Sequence, residues 1–140
     1  MVAGPQVAQP EPSERKSLVL VVEDDSDTIT YMRVILDRSY ATLWADSAEQ
    51  VWDILREQTP DIILMDISLQ GTQSGIELTK EIRSNTKVCN VPIIAVTAHA
   101  FPQDKARCLD AGCDEYIKKP VNRKELFAVM QELISRKQHT

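Results

Sequence analysis

Three short, unbroken apolar runs constrain this chain more than any other feature: Leu18–Val22, the segment Asp61–Met65 with its Ile-Ile-Leu-Met, and the segment Pro92–Val96 with its Ile-Ile-Ala-Val. Each is rich in β-branched residues and shows no polar alternation, as expected of a strand covered on both faces. Amphipathic stretches separate them. That alternation predicts βα repetition, hence an α/β fold with a doubly wound parallel sheet.

The remaining elements follow from local signals. A first helix is expected from about Asp27 to Arg38, after a turn at Glu23-Asp24-Asp25 in which Asp25 or Ser26 would cap it. A weaker second strand lies at Ala41–Trp44, and a second helix runs from Ala48 to about Gln58 with Ala48, Val51, Trp52 and Leu55 on one stripe. Ser47 and Gln50 have the spacing of a capping box. A third helix is placed at Ser74–Ser84, burying Ile76, Leu78 and Ile82. Pro92 suits a strand start, and Pro102 suits the first turn of a fourth helix whose C-terminal cap is Gly112. A last strand, Glu115–Lys118, precedes a fifth helix that opens after Asn122 and buries Leu126, Val129, Met130 and Leu133. The expected count is five strands and five helices.

Residues 1–16 hold three of the seven prolines and no periodicity, and read as a flexible tail before a single domain over 17–138. A hydrophobic content of 43% supplies a core for 140 residues without disulfides. Cys89, Cys108 and Cys113 are odd in number and lack metal-ligand spacing, so they read as reduced packing thiols. A net charge of -5 argues against a direct nucleic-acid surface. No secretion signal and no run of ~20 apolar residues is present, so a cytoplasmic protein without membrane insertion is expected.

The chemistry-bearing residues stand where the strands end, and in open parallel sheets those carboxyl ends meet on one rim. Asp66 would be a nucleophile, because a carboxylate accepts a phosphoryl group to give an acyl phosphate; by itself it also fits a solvated strand-end aspartate. Glu23, Asp24 and Asp66 would bring three carboxylates together, an arrangement that calls for a hard divalent cation, Mg2+ or Mn2+. Their blander alternative is an acidic turn. Thr97 offers a hydroxyl to a phosphoryl oxygen, Lys119 a compact positive charge, and Pro120 is placed to hold a cis peptide that aims Lys119 inward. Alone, they read as an ordinary strand-end threonine and a surface lysine.

Taken together, Val-Val-Glu23-Asp24-Asp25, Leu64-Met65-Asp66, Val96-Thr97-Ala98 and Tyr116-Ile-Lys118-Lys119-Pro120 resemble, in order and spacing, the receiver domains of two-component response regulators. The resemblance covers about residues 17–138 and implies a flavodoxin-like fold of the stand-alone, chemotaxis-regulator type. It implies phosphorylation of Asp66, with Mg2+ held by Asp24, Asp66 and the Ser68 carbonyl, and by Glu23 through water. It further implies that Thr97 and Lys119 bind phosphoryl oxygens and reach Asp66 only once it is phosphorylated, and that Tyr116 is an aromatic switch. The family's proline four residues after the phosphoacceptor is replaced by Gln70, followed by Gly71, and the turn glycine, Gly75, falls about one residue late. His99, two past Thr97, occupies a position that tunes water access in the family, although a bystander imidazole is the blander reading.

The resemblance also supplies partners: a histidine kinase or histidine phosphotransfer protein as donor, and a downstream protein bound through the fourth helix, fifth strand and fifth helix. Lys105, Arg107, Lys118, Asn122 and Arg123 would form that polar rim. Only Ser135–Thr140 follows the fifth helix, so output is expected through a partner and not through an attached module. The expectation is a switch and not an enzyme. A receiver segment of a hybrid kinase is the alternative, its proline-rich tail serving as linker. An aspartate-nucleophile phosphatase of the haloacid dehalogenase type is disfavoured, because Ser68 stands where its second acid would be and no cap domain is available. A phosphorylation-independent adaptor is disfavoured by the presence of every site residue.

Overall fold

The computed structural model describes residues 16–69, 73–98 and 101–138. Along the chain these form β1 (Leu18–Val22), α1 (Ser26–Leu36), β2 (Ala41–Ala45), α2 (Ala48–Glu57), β3 (Ile62–Asp66), α3 (Gly75–Ser84), β4 (Ile93–Thr97), α4 (Pro102–Ala111), β5 (Glu115–Lys118) and α5 (Arg123–Gln138). The five strands make one parallel sheet in the order β2-β1-β3-β4-β5. The expected doubly wound, flavodoxin-like architecture is therefore present.

The apolar runs lack alternation because each face of the sheet has its own core. Leu20, Val22, Ile63, Met65, Ile93 and Ala95 point to one side and pack with Val51, Leu55, Leu78, Ile82, Cys108 and Ala111, that is, with α2, α3 and α4. Val19, Val21, Ile62, Leu64, Ile94 and Val96 point to the other, against Met32, Leu36, Leu126, Met130 and Leu133 of α1 and α5. A side-chain period of two thus delivers successive residues to two layers of helices, both apolar. Because the chain leaves β1 for β2 on one side and then crosses to β3 on the other, a crevice opens at the carboxyl ends of β1 and β3, which is where ligands settle in such sheets.

The second strand runs one residue further than expected, to Ala45, and the third and fourth strands are each displaced by one residue, which matters for the site. The third strand was expected at Asp61–Met65 and the fourth at Pro92–Val96, but Asp66 and Thr97 are the terminal residues of β3 and β4. The register explains the shift: Asp66 pairs with Val96 and Thr97 with Lys118, so the ladder extends through both. At the other end Asp61 drops out of the strand, and its Oδ2 accepts a hydrogen bond from the Leu18 N–H at 2.7 Å. Pro92 has no N–H to give the ladder, although its carbonyl accepts from Ile63 at 2.9 Å.

The helices start at the expected caps with adjusted ends. Asp25 caps α1, accepting from the Thr28 N–H, and the helix stops at Leu36 instead of Arg38. Ser47 caps α2 as anticipated, but the reciprocal half of its box is missing, since the Gln50 side chain accepts from the Asp46 N–H. The complete capping box belongs to Ser74 and Glu77, which makes Ser74 the cap of α3 and not its first residue. Pro102 opens α4, Gly112 closes it, and the Asn122 side chain accepts from the Glu125 N–H ahead of α5. Val129 is half-buried on α5, whereas Ile134, missing from the expected set, is buried. All three cysteines are free, with Cys108 and Cys113 buried and Cys89 half-buried. Among the described residues no helix is long and apolar enough to cross a membrane. The tail expected at 1–16 lies, apart from Lys16, outside the described residues, as do Gln70, Gly71 and His99.

Candidate functional site

The rim above β1 and β3 gathers the acids by backbone geometry. Glu23 directly follows β1 and Asp66 ends β3, two strands paired side by side, so their carboxylates face each other across one strand spacing. Glu23, Asp24 and Asp66 each place a carboxylate oxygen within 4.8 Å of the others. Glu23 and Asp66 are only 4% exposed, which is rare for carboxylates that lack strong partners.

The partners are present. Lys119 Nζ lies 2.9 Å from Glu23 Oε1 and 3.7 Å from Asp66 Oδ2. Its backbone is set by a hydrogen bond from the Lys119 N–H to the Thr97 carbonyl at 2.7 Å, and the Lys119–Pro120 peptide is cis. Asp66 Oδ1 accepts from both the N–H and the hydroxyl of Ser68, each at 2.9 Å. Lys119 is therefore already beside Asp66 in the unmodified chain, which corrects the expectation that the two approach only after phosphorylation.

Crowding of the acids shows in the electrostatics. Burial, followed by a hydrogen bond to Asp66, pushes the Glu23 carboxyl up to about 7, even with Lys119 pulling it down. Three close carboxylates at this cost fit a hard divalent cation, whose charge would remove the repulsion and whose preference is for oxygen donors. The neighbouring Asp25 joins the cluster only through its backbone, whose N–H donates to Glu23 Oε2 at 3.2 Å; its exposed carboxyl is held low by the Thr28 backbone and hydroxyl that it caps.

Gly75 brings the N-terminus of α3 against the acidic rim. A Cβ there would lie 2.3 Å from the Asp66 carbonyl oxygen and 2.8 Å from the Ile67 Cα, so only glycine permits the approach. The sequence marked Gly75 as a displaced turn glycine; its function is close packing, at an ordinary backbone conformation. Thr97 is fully buried at the end of β4 and lines, with Ser68, Phe101 and Arg107, a crevice of about 260 Å³. On the opposite flank a groove of about 400 Å³ is lined by Asp27, Thr28, Tyr31, Ala98, Lys119, Pro120 and Val121. Tyr31, which carried no sequence signal, donates its hydroxyl to the Val121 carbonyl at 2.6 Å and ties α1 to the loop after β5.

Tyr116 lies away from the acids, half-buried on β5 opposite Ala95. Its side chain packs against the core cluster that includes Cys108 and Ala111, and burial first, then the charges of Cys108 and Asp104, raises its phenol above the ordinary range. Glu23, Asp24, Asp66, Ser68 and Lys119 thus gather at the rim, Thr97 ends the neighbouring strand beside them, and Tyr116 lies away from the acids toward α4.

Comparison with known proteins agrees with this arrangement. A family model described as the response regulator receiver domain matches residues 19–131. The polar-differentiation response regulator DivK of Brucella ovis is 38% identical over 105 residues, covering 74% of this chain and 85% of that protein. Among solved structures, the receiver domain of a sensor histidine kinase from Pseudomonas aeruginosa PAO1, with a magnesium ion coordinated in its active-site cleft, superposes with a TM-score of 0.79 at 34% identity, covering 86% of this chain and 99% of that one. A CheY-like receiver domain protein from Methanospirillum hungatei superposes with a TM-score of 0.79 at 25% identity, covering 89% and 98%. Receiver domains are signalling switches, and with its matching family model, its DivK-like relatives and its receiver fold this chain belongs to the response regulator receiver family.

Proposed function

We propose that the protein is a phosphoryl-operated switch whose acceptor is Asp66. The observation that carries this reading is the meeting of Asp66 with Glu23, Asp24 and Lys119 on one rim. A phosphoryl group passes from an imidazole nitrogen of a phosphohistidine, on a histidine kinase or histidine phosphotransfer protein, to a carboxylate oxygen of Asp66. The P–N bond breaks, the P–O bond forms, and the imidazole leaves with its electron pair.

Glu23, Asp24, Asp66 and the Ser68 carbonyl are the groups to hold Mg2+, or Mn2+. When bound, the cation neutralises the acids and the oxygens of the transferring group. The chain's own residues do the rest. Ser68 fixes one Asp66 oxygen through two hydrogen bonds, leaving the other as the nucleophile. Lys119 opposes the charge that develops on the phosphoryl oxygens, and Thr97 donates its hydroxyl to one of them. Its modified form signals through a partner protein bound at α4, β5 and α5. The Mg2+-bearing Pseudomonas neighbour and the DivK relatives support this reading.

The test is labelling with acetyl phosphate and Mg2+, read by intact-protein mass spectrometry. Wild type should gain one alkali-labile phosphoryl group and Asp66→Asn none. Efficient labelling of a folded Asp66→Asn protein would remove Asp66 as the acceptor.

A further inference from the structure

A lysine side chain is a flexible four-carbon stem, so the point its ammonium occupies depends on how firmly its own backbone is held. The Lys119 side chain is 16% exposed and meets Glu23 and Asp66, yet the residue stands outside regular structure: β5 ends at Lys118 and α5 opens at Arg123. On its amino side, the Lys119 N–H donates to the Thr97 carbonyl at 2.7 Å. On its carboxyl side comes Pro120, which has no N–H with which to anchor the chain. One residue further, the Val121 carbonyl accepts the Tyr31 hydroxyl at 2.6 Å. We infer that Tyr31 is a positioning residue for phosphoryl transfer: by holding Val121 it fixes the segment that carries Lys119, and so the place of the ammonium beside Asp66.

The tie is at the short end for an O–H to oxygen bond and joins groups 90 residues apart in the chain. Val121 is buried in the core that α1 and α5 share, so its side chain and its carbonyl are gripped from two sides. Tyr31 itself is 43% exposed and belongs to neither core, so its ring serves less as packing than as an arm for its hydroxyl.

The helix that carries Tyr31 is referenced to the acids. Asp25, the cap of α1, donates its N–H to Glu23 Oε2 at 3.2 Å and accepts from the Thr28 N–H at 2.9 Å. The contacts close a circuit, from Glu23 through the cap of α1 to Tyr31, across to Val121, and back through Lys119, whose Nζ lies 2.9 Å from Glu23 Oε1. A charge held in place beforehand costs no reorganisation when negative charge develops on the phosphoryl oxygens. Opening the circuit at Tyr31 leaves Lys119 its charge and takes away part of its placement.

The kinetic part of this inference rests on the phosphoryl-switch reading; the anchoring of Lys119 does not. Tyr31→Phe removes one oxygen at a partly exposed position and keeps the ring. With acetyl phosphate and Mg2+, labelling of Asp66 should slow about threefold to tenfold, the scale of one hydrogen bond. In a Lys119→Ala background the same substitution should leave the rate unchanged, because no ammonium remains to be positioned. Mg2+ affinity measured by calorimetry should also be unchanged, which a general loosening of the rim would not allow. In amide exchange without Mg2+, the Lys119 N–H should exchange about threefold to tenfold faster in Tyr31→Phe, while the Ile63 N–H, bonded to the Pro92 carbonyl, keeps its rate.

Equal slowing with and without Lys119 would overturn the inference, as would a parallel loss of Mg2+ affinity. Labelling of Tyr31→Phe by acetyl phosphate at the wild-type rate would overturn it too, and slower labelling from a phosphohistidine protein alone would then assign Tyr31 to contact with the donor. If wild type takes no label, the phosphoryl reading fails, and the Lys119 exchange rate still decides whether Tyr31 anchors that segment: faster exchange supports the anchor and an unchanged rate removes it.

Discussion

Lys119 is nearer to Glu23, at 2.9 Å, than to Asp66, at 3.7 Å, although Asp66 is the residue on which the chemistry is proposed. On the proposed reading the lysine has two tasks that compete for one ammonium: neutralising a buried acid and steering an incoming anion. Removing it should expose both. Lys119→Ala is expected to slow Asp66 labelling by about a hundredfold, the scale of losing one charge-stabilising donor. It should also destabilise the fold by about 1–3 kcal/mol, because buried acids lose a charged partner. Since a divalent cation would neutralise the same acids, Mg2+ should recover part of that loss in urea unfolding. A variant as stable as wild type without Mg2+ would show that the Glu23 contact carries no weight.

Folding raises the Glu23 carboxyl from 4.5 to about 7. The folded chain accordingly keeps a proton that the unfolded chain releases, and this contribution to stability is complete below about 4.5 and is lost as pH rises through about 7. A cation competes with that proton, so Mg2+ affinity measured by calorimetry should climb between about pH 6 and about pH 8. Glu23→Gln should flatten the climb. An unchanged pH profile in the glutamine variant would assign the titration to a different group.

Gly75→Ala places a methyl group where the Asp66 carbonyl oxygen already is, at 2.3 Å. Either α3 or the end of β3 must shift, and overpacking of this kind costs about 1–3 kcal/mol. Urea unfolding should report that loss, and labelling at Asp66 should slow with it. Wild-type behaviour in both assays would mean that α3 retreats without disturbing the rim.

Thr97→Ala and Tyr116→Ala should leave Asp66 able to accept a phosphoryl group while weakening the phosphorylation-dependent change in partner binding. Thr97 stands at the rim and Tyr116 lies within electrostatic reach of Cys108 and Asp104 of α4, so on the proposed reading they couple the two regions and neither supplies the nucleophile. Mass spectrometry and a pull-down in both states separate the effects. If modification altered amide protection only in α1 and α2 and left 101–124 untouched, the α4, β5 and α5 face would not be the output surface.

Much of this protein was determined by one-dimensional pattern. Apolar runs such as Leu18–Val22, unbroken because both sheet faces are covered, dictated parallel strands, and the order of Glu23, Asp24, Asp66, Thr97 and Lys119 at strand ends identified the rim. Caps such as Asp25, Ser47 and Gly112 were legible because their physics is confined to a few neighbouring backbone groups. Tertiary structure decided what depends on separation in space. Whether Asp66 and Thr97 end their strands or follow them was settled by the ladder register with β4 and β5. That Lys119 rests on Glu23, that Gly75 yields to the Asp66 backbone, and that Arg83 grips Gly112 and Asp114 across 29 and 31 residues of chain could not be read from local sequence, because these contacts exist only once the helices pack on the sheet.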